Sequence, residues 1–222
     1  MRTFKTLLFG LGLLSITVPA TQTIAAGFKA VYGGYSYQTY QNPLSEEEIN
    51  DLIHMREEEK LARDVYITLY KKWGMKIFYN ISQSEQRHMD AIKRMLDKYG
   101  LPDPVEETND TVVVFVNPEL QELYYTLVNK GEQSLIDALE VGATIEDLDI
   151  KDLEECLSET QHYDIATVYT NLMKGSRNHL RAFTRVLNRL GEEYQPQYIS
   201  EEEYEYIIST PMERGFEKPQ NW

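Results

Sequence analysis

The sequence predicts an all-α fold: a four-helix bundle over residues 44–191, built from two helical hairpins that are joined by a long connection. Apolar residues in this region recur at three- and four-residue spacing, which is the period of amphipathic helices and not of strands. Gly74, Gly100 and Gly191 follow the ends of periodic stretches, as helix-capping glycines do. An irregular N-terminal arm and a C-terminal tail flank the predicted bundle.

The first hairpin begins at a strong helix start. Ser45 is a candidate N-cap, and the three glutamates after it place negative charge in the first turn, where the helix dipole favours it. The periodic pattern continues to Trp73. A second helix is predicted over residues 80–98, and the Tyr99–Pro102 segment, with its glycine and proline, ends it.

The second hairpin follows a connection, residues 103–117, that has no helical period. Its β-branched run at residues 111–116 is compatible with one edge strand or with a simple crossover. Further helices are predicted over residues 118–130, 134–157 and 165–190. The tail, residues 192–222, contains one predicted short helix at residues 200–208.

The N-terminus has the pattern of a secretory signal peptide, predicted over residues 1–26. Arg2 and Lys5 are basic, an uncharged apolar run follows, and small residues such as Ala20 and Ala25 offer cleavage points. An uncleaved anchor is the alternative, although the apolar run is short for a membrane span. Export predicts a secreted, periplasmic or cell-surface protein with no membrane segment after cleavage, and residues 27–43 then form a Tyr- and Gly-rich extended arm.

Charge and cysteine content narrow the function classes. The formal net charge is -14. Such an acidic chain lacks the basic surface that nucleic-acid binding needs, and it favours cations as partners. Cys156 is the single cysteine, so an internal disulfide framework is excluded. Stability must then come from packing or from a bound metal.

The most informative motif is Glu85-x-x-His88. Residues three apart on a helix share a face, and this face continues through the apolar Ile92 and Met95. A carboxylate on an apolar stripe is costly to bury unless something pairs with it. Glu59 interrupts a similar stripe on the first helix, so these side chains predict a metal site, whereas the neighbouring Glu57 and Glu58 are expected to be solvated.

The pattern Glu59-x-x-Ala62-x-x-x-Tyr66, followed by Glu85-x-x-His88, resembles the first half of the ferritin-like di-iron or di-manganese carboxylate proteins, such as rubrerythrins and bacterioferritins. The stretches Arg-Glu-Glu-Glu-Lys-Leu-Ala-Arg-Asp-Val-Tyr at residues 56–66 and Gly-Ser-Arg-Asn-His-Leu-Arg-Ala-Phe at residues 175–183 are similar to a largely uncharacterised ferritin-like domain family of secreted microbial proteins. The resemblance implies a ferritin-like bundle and a dinuclear site.

The second half departs from that family pattern. The resemblance implies another Glu and another Glu-x-x-His, but His179 is preceded by Ser176 where Glu is expected. Glu146 and Asp149 interrupt a stripe on the third long helix, so Asp149 is a candidate replacement for the missing carboxylate. A solvated Glu146 and an ordinary core histidine at position 179 are the alternatives.

The expected site therefore comprises Glu59, Glu85, His88, Glu146, Asp149 and His179, with two divalent metal ions as cofactors. Iron is preferred to manganese, and the resemblance implies reaction with oxygen or peroxide, which would make the protein an oxidoreductase. The alternative is a non-catalytic metal-binding or structural bundle. A homo-oligomer is compatible with either, and His54 and His162 are expected on the surface.

Overall fold

The computed structural model describes residues 43–220, so the predicted signal peptide and all but the last residue of the predicted arm lie outside the described residues. The helices, in chain order, are α1 (Glu46–Trp73), α2 (Lys76–Tyr99), α3 (Pro104–Glu107), α4 (Pro118–Gly131), α5 (Leu135–Glu159), α6 (Tyr163–Leu190) and α7 (Glu201–Ser209). Residues 43–220 contain no strand, which confirms the all-α prediction. None of these helices combines the length and apolar character of a membrane-spanning segment.

The four long helices pair as two hairpins. Helix α1 packs along α2 and α5 packs along α6, while α1 also contacts α5 and α2 contacts α6. The first hairpin turns at Gly74, whose positive φ of 67° is accessible to glycine at little cost. Ser45 caps α1, as the sequence indicates, and the structure adds a capping box with Glu48.

Two helices begin earlier than the sequence predicts. Helix α2 starts at Lys76 after Met75, and α6 starts at Tyr163 after His162. Neither preceding residue makes a side-chain capping hydrogen bond. These helix starts therefore lack the capping signal that marks α1, and the sequence pattern places them too late.

The connection between the hairpins is a crossover and not an edge strand. Its backbone groups bond to side chains of α1: the Val113 N–H donates to Asp64 Oδ2 at 2.9 Å, and Lys60 Nζ donates to the Thr111 carbonyl at 2.9 Å. Val113 has a positive φ of 78°, which a strand does not allow. The edge-strand alternative for residues 111–116 is wrong because α1, and not a neighbouring strand, satisfies these groups.

The same crossover covers Glu57 on the polar side of α1, whereas Glu58 lies near Asp152 of α5. Glu57 and Glu58 are buried, and the expectation that they are solvated is wrong. The Glu57 carboxylate accepts the Val116 N–H at 2.6 Å and the Asn117 N–H at 3.0 Å. The acidic and basic residues of α1 thus anchor the connection instead of facing water.

The candidate site lies between two apolar clusters. One cluster contains Tyr66, Phe78 and Phe183; the other contains Leu52 and Ile92. Along each long helix, the site residues fall between members of the two clusters. A layer of buried carboxylates and imidazoles therefore lies between the four long helices, with apolar side chains on both sides.

Candidate metal centre

Three side chains from α1 and α2 converge in the first half of the site. Glu85 Oε2 lies 2.8 Å from His88 Nδ1, and Glu59 Oε2 lies 3.1 Å from the same nitrogen. One ligand atom from each residue lies within 4.8 Å of the others. Glu59 and Glu85 are each 1 % exposed. This group can hold one metal ion.

The second half repeats this arrangement with residues of α5 and α6. Glu146 Oε2 lies 3.2 Å from His179 Nδ1, and Glu85 Oε1 lies 2.9 Å from that nitrogen. Glu85, Glu146 and His179 form a second group that meets the same 4.8 Å limit. Glu85 belongs to both groups, with one oxygen directed to each half. The imidazoles of His88 and His179 stack with ring centroids 5.6 Å apart.

Asp149 is the predicted residue that lies in neither group. It is buried, and its Oδ2 accepts a hydrogen bond from Ser176 Oγ. Burial raises the pKa of Asp149 well above its ordinary value, and the charges of Glu59 and Glu58 add to this effect. Asp149, the candidate replacement for the carboxylate missing at position 176, therefore bonds Ser176 directly. It lies beside the two ligand groups and belongs to neither.

Burial and close charges shift the pKa values of the clustered side chains. Burial raises the pKa of Glu59 to about 8, although His88 opposes the shift. Burial alone would also raise the pKa of Glu85, but His179 and His88 outweigh it, so the pKa falls below the ordinary value. Burial would lower the pKa of His179, but the negative charges of Glu85 and then Glu146 outweigh burial and raise the pKa to about 10. Because metal ligands must be deprotonated, a metal ion would compete with protons for these side chains.

The donor atoms fit a metal pair. Among residues 43–220, the buried Glu59 Oε1 and Glu85 Oε1 have no hydrogen-bond partner. The 2.9 Å contact between Glu85 Oε1 and His179 Nδ1 is short but does not have hydrogen-bond geometry. Donors at adjacent positions on an ion about 2.1 Å away lie about 3.0–3.4 Å apart, which is close to the separations between the Nδ1 atoms and the carboxylate oxygens.

Tyr66 positions the second half of the site. Its hydroxyl donates to Glu146 Oε1 at 2.5 Å and lies 3.2 Å from the Gly142 carbonyl oxygen. Its ring packs on Phe183 with centroids 5.5 Å apart. The Tyr66 hydroxyl therefore holds Glu146 while its ring packs within the apolar cluster.

Gly175 is a site residue that the sequence reasoning missed. A Cβ at this position would lie 2.5 Å from His88 Nε2, which is closer than real Cβ contacts allow. Glycine inside a helix costs about 1 kcal/mol relative to alanine. A glycine inside α6 was therefore the signal in the sequence that a neighbouring group approaches the helix here. The space at Gly175 admits the imidazole of His88 from α2.

The two remaining histidines are half-buried and not surface residues, so the sequence expectation for them is wrong. His162 lies with Nδ1 2.7 Å from Glu48 Oε1. His54 lies with Nε2 3.3 Å from Glu58 Oε2. Each histidine contacts a buried glutamate of α1. The sequence pattern did not indicate that these glutamates are buried.

Comparison with known proteins places the chain in a family. Residues 48–211, which include all six predicted site residues, match the family model described as "Uncharacterized protein domain (DUF2202)". The uncharacterized protein MJ0754 of Methanocaldococcus jannaschii is 62% identical over 178 residues, covering 80% of this chain and 95% of that protein. The crystal structure of hypothetical protein MJ0754 from Methanococcus jannaschii matches with a TM-score of 0.76 and 61% identity, covering 79% of this chain and 99% of that chain. The chain belongs to the DUF2202 family.

Proposed function

We propose that this protein is a ferritin-like four-helix-bundle metalloprotein whose carboxylates and histidines hold two metal ions bridged by Glu85. The observation that carries the proposal is the shared position of Glu85. One of its oxygens lies 2.8 Å from His88 Nδ1 and the other lies 2.9 Å from His179 Nδ1. A carboxylate placed in this way can bind a different ion through each oxygen.

The arrangement of the helices supports the ferritin-like assignment. In such bundles, a glutamate from each of two helices and a Glu-x-x-His motif from each of the other two project inward. Here α1 supplies Glu59, α5 supplies Glu146, α2 supplies Glu85 with His88, and α6 supplies His179. The chain departs from the pattern only at Ser176 on α6.

The donor set favours iron, with manganese second. Nitrogen and carboxylate oxygen donors suit both ions, whereas softer metals prefer thiolate. Cys156 packs within the apolar cluster that contains Leu52 and Ile92, and it is absent from the candidate ligand groups among residues 43–220. The site therefore offers oxygen and imidazole nitrogen only.

The protein residues have distinct roles in this proposal. Iron bound here would supply one-electron chemistry toward oxygen or peroxide. Glu59 and Glu146 would each serve one ion, and Glu85 would serve both. Tyr66 orients Glu146 through its hydroxyl. The apolar clusters on both sides limit water around the site, which strengthens electrostatic interactions within it.

Ferrous iron oxidation tests the catalytic part of the proposal. Full-length protein loaded anaerobically with ferrous iron should oxidise it on mixing with oxygen or peroxide much faster than buffer does. Glu85→Gln should reduce the rate toward that of buffer, whereas Glu122→Gln, at an exposed position of α4, should not. Oxidation no faster than buffer by wild-type protein with iron bound would instead indicate a non-catalytic metal-binding bundle.

Export remains part of the proposal and rests on the sequence alone. Mature protein from its source should begin between Thr21 and Phe28. N-terminal sequencing tests this directly. Soluble protein that retains Met1 would refute the signal-peptide assignment without affecting the metal site.

A further inference from the structure

A third group of ligand-type side chains lies outside the proposed dinuclear centre, between α1 and α5. It consists of His54, Glu58 and Asp152, and one ligand atom from each lies within 4.8 Å of the others. His54 and Glu58 are four residues apart on α1, so they share a face. Their Nε2 and Oε2 atoms are 3.3 Å apart. Asp152 reaches them from α5.

The helix geometry explains why this group is separate from the centre. Glu146, Asp149 and Asp152 follow one another at intervals of three residues along α5. Each interval turns the side-chain direction by about 60°. Glu146 faces the dinuclear centre, so Asp152 is directed about 120° away from it. On α1, Glu58 likewise precedes Glu59 by one residue and has a different direction.

The chemistry of the group is that of a divalent cation site. We infer that His54, Glu58 and Asp152 bind one further divalent first-row metal ion. One imidazole nitrogen and two carboxylate oxygens suit borderline ions such as Zn²⁺, Fe²⁺ and Mn²⁺. The histidine distinguishes the group from an ordinary acidic surface patch, which would offer only oxygen.

Burial supports the same inference. The side chains of Glu58 and His54 are 6 % and 13 % exposed, and Asp152 is half-buried. Two carboxylates confined in this way repel each other, and a divalent ion bound between them removes that repulsion. Three protein ligands leave coordination positions for water, so the bound ion can exchange with ions in solution.

The group of His54, Glu58 and Asp152 also lies next to the proposed dinuclear centre. Glu58 and Asp149 line one small cavity of about 10 Å³, whose wall includes the apolar side chains of Leu61 and Leu148. That volume is close to the space for one water-sized probe. Glu58 of this group and Asp149, which bonds Ser176, thus border the same cavity, although the cation site does not depend on the dinuclear centre being occupied.

Zn²⁺ binding tests the inference, because this ion is redox-inert. Metal-free full-length protein should be titrated by calorimetry with Zn²⁺ alone, in a Glu85→Gln and His88→Ala background that disables the dinuclear centre. One Zn²⁺ per chain should still bind, and Asp152→Asn added to this background should abolish it. Glu155→Gln, which removes the same charge from a neighbouring side chain on α5 that is 44 % exposed, should leave it intact.

A crystallographic measurement on wild-type protein covers the case in which the variants fail to fold. A Zn²⁺ anomalous peak should lie between His54 Nε2 and the carboxylates of Glu58 and Asp152, and His54→Gln should remove that peak alone. Equal Zn²⁺ binding by the Asp152→Asn and Glu155→Gln variants, or no peak at this position, would overturn the inference. Either result leaves the Glu85-bridged centre to be judged separately.

Discussion

The Ser176 hydroxyl donates a hydrogen bond to the Asp149 carboxyl across the contact between α5 and α6. Both residues are buried. Ser176 occupies the position, three residues before His179, where the ferritin-like pattern has a glutamate. The bond thus places a carboxyl group from the opposite helix beside the position where the expected carboxylate is missing.

Asp149 should matter more for the ion at Glu146 and His179 than for the ion at Glu59 and His88. Asp149→Ala should weaken binding of that second ion by about 10- to 100-fold, the range seen when a group that supports ligands is lost. Adding Ser176→Glu should partly restore the affinity. Sequential metal titration measures both effects. Equal weakening of the two ions, or no restoration, would contradict a compensating role for Asp149.

Gly175→Ala should displace His88 and lower stability. The added methyl would lie 2.5 Å from His88 Nε2, and overpacking of this kind typically costs about 1–3 kcal/mol. In a His88→Ala background the clash is absent, so the same substitution should be neutral or stabilising there, since alanine favours the helix. Denaturant unfolding of the four proteins gives the coupling energy. Additive effects would mean that the imidazole is not held against Gly175.

Tyr66→Phe should loosen Glu146 while preserving the apolar packing of the ring. The lost hydroxyl donates to a buried carboxylate, and hydrogen bonds to charged groups contribute about 1.5–3 kcal/mol. Affinity for the second ion should fall, and the first should be little affected. Tyr124→Phe is the matched control, because its hydroxyl bonds to Thr68. Equal behaviour of the two variants would argue against a positioning role for Tyr66.

The lowered pKa of Glu48 predicts that the fold loses stability in acid. Burial would raise the pKa of its carboxyl, but His162 and the N–H groups of Ser45 and Gln161 outweigh burial and lower the pKa to about 2 from the ordinary 4.5. Because the folded-state pKa is depressed, the stability from this group is present above pH 4.5 and is lost as the pH falls through about 2. Glu48→Gln should therefore cost about 2 kcal/mol near neutral pH.

The melting-temperature difference between wild-type protein and Glu48→Gln should narrow as the pH falls through this window. Thermal unfolding from pH 7 to pH 2 measures the difference, and the comparison cancels the titration of groups that do not contact Glu48, whereas His162 is its direct partner. A constant difference across the whole range would show that the Glu48 charge does not stabilise the fold. Exposed Glu122→Gln should show no such dependence.

Helix periodicity and capping residues were sufficient to predict the all-α fold. Ser45, Gly74 and Gly191 mark helix ends by mechanisms that act within a few residues, and the structure has these ends as predicted. The starts of α2 and α6 lack such local signals. The crossover was ambiguous because Asp64 and Lys60, distant in sequence, decide its backbone conformation.

For the candidate site, too, the sequence indicates the residues with local signals but not the contacts between helices. Glu85 and His88 are conspicuous because they interrupt an apolar stripe on one helix. The shared position of Glu85 depends on how two hairpins meet, which no periodicity within one helix can specify. Gly175 was missed for the same reason, since its partner His88 lies on another helix.

The most direct test of the account is the position of metal relative to Glu85. Crystals of full-length protein loaded with iron or manganese should show two anomalous peaks about 3.5–4 Å apart beside Glu85, as in dinuclear sites, whatever the occupancy of the separate group at His54. One peak should lie on Glu59, His88 and one oxygen of Glu85, and the other on Glu146, His179 and the second oxygen. A single ion bound by both oxygens of Glu85, or no ion near this carboxylate, would contradict the account.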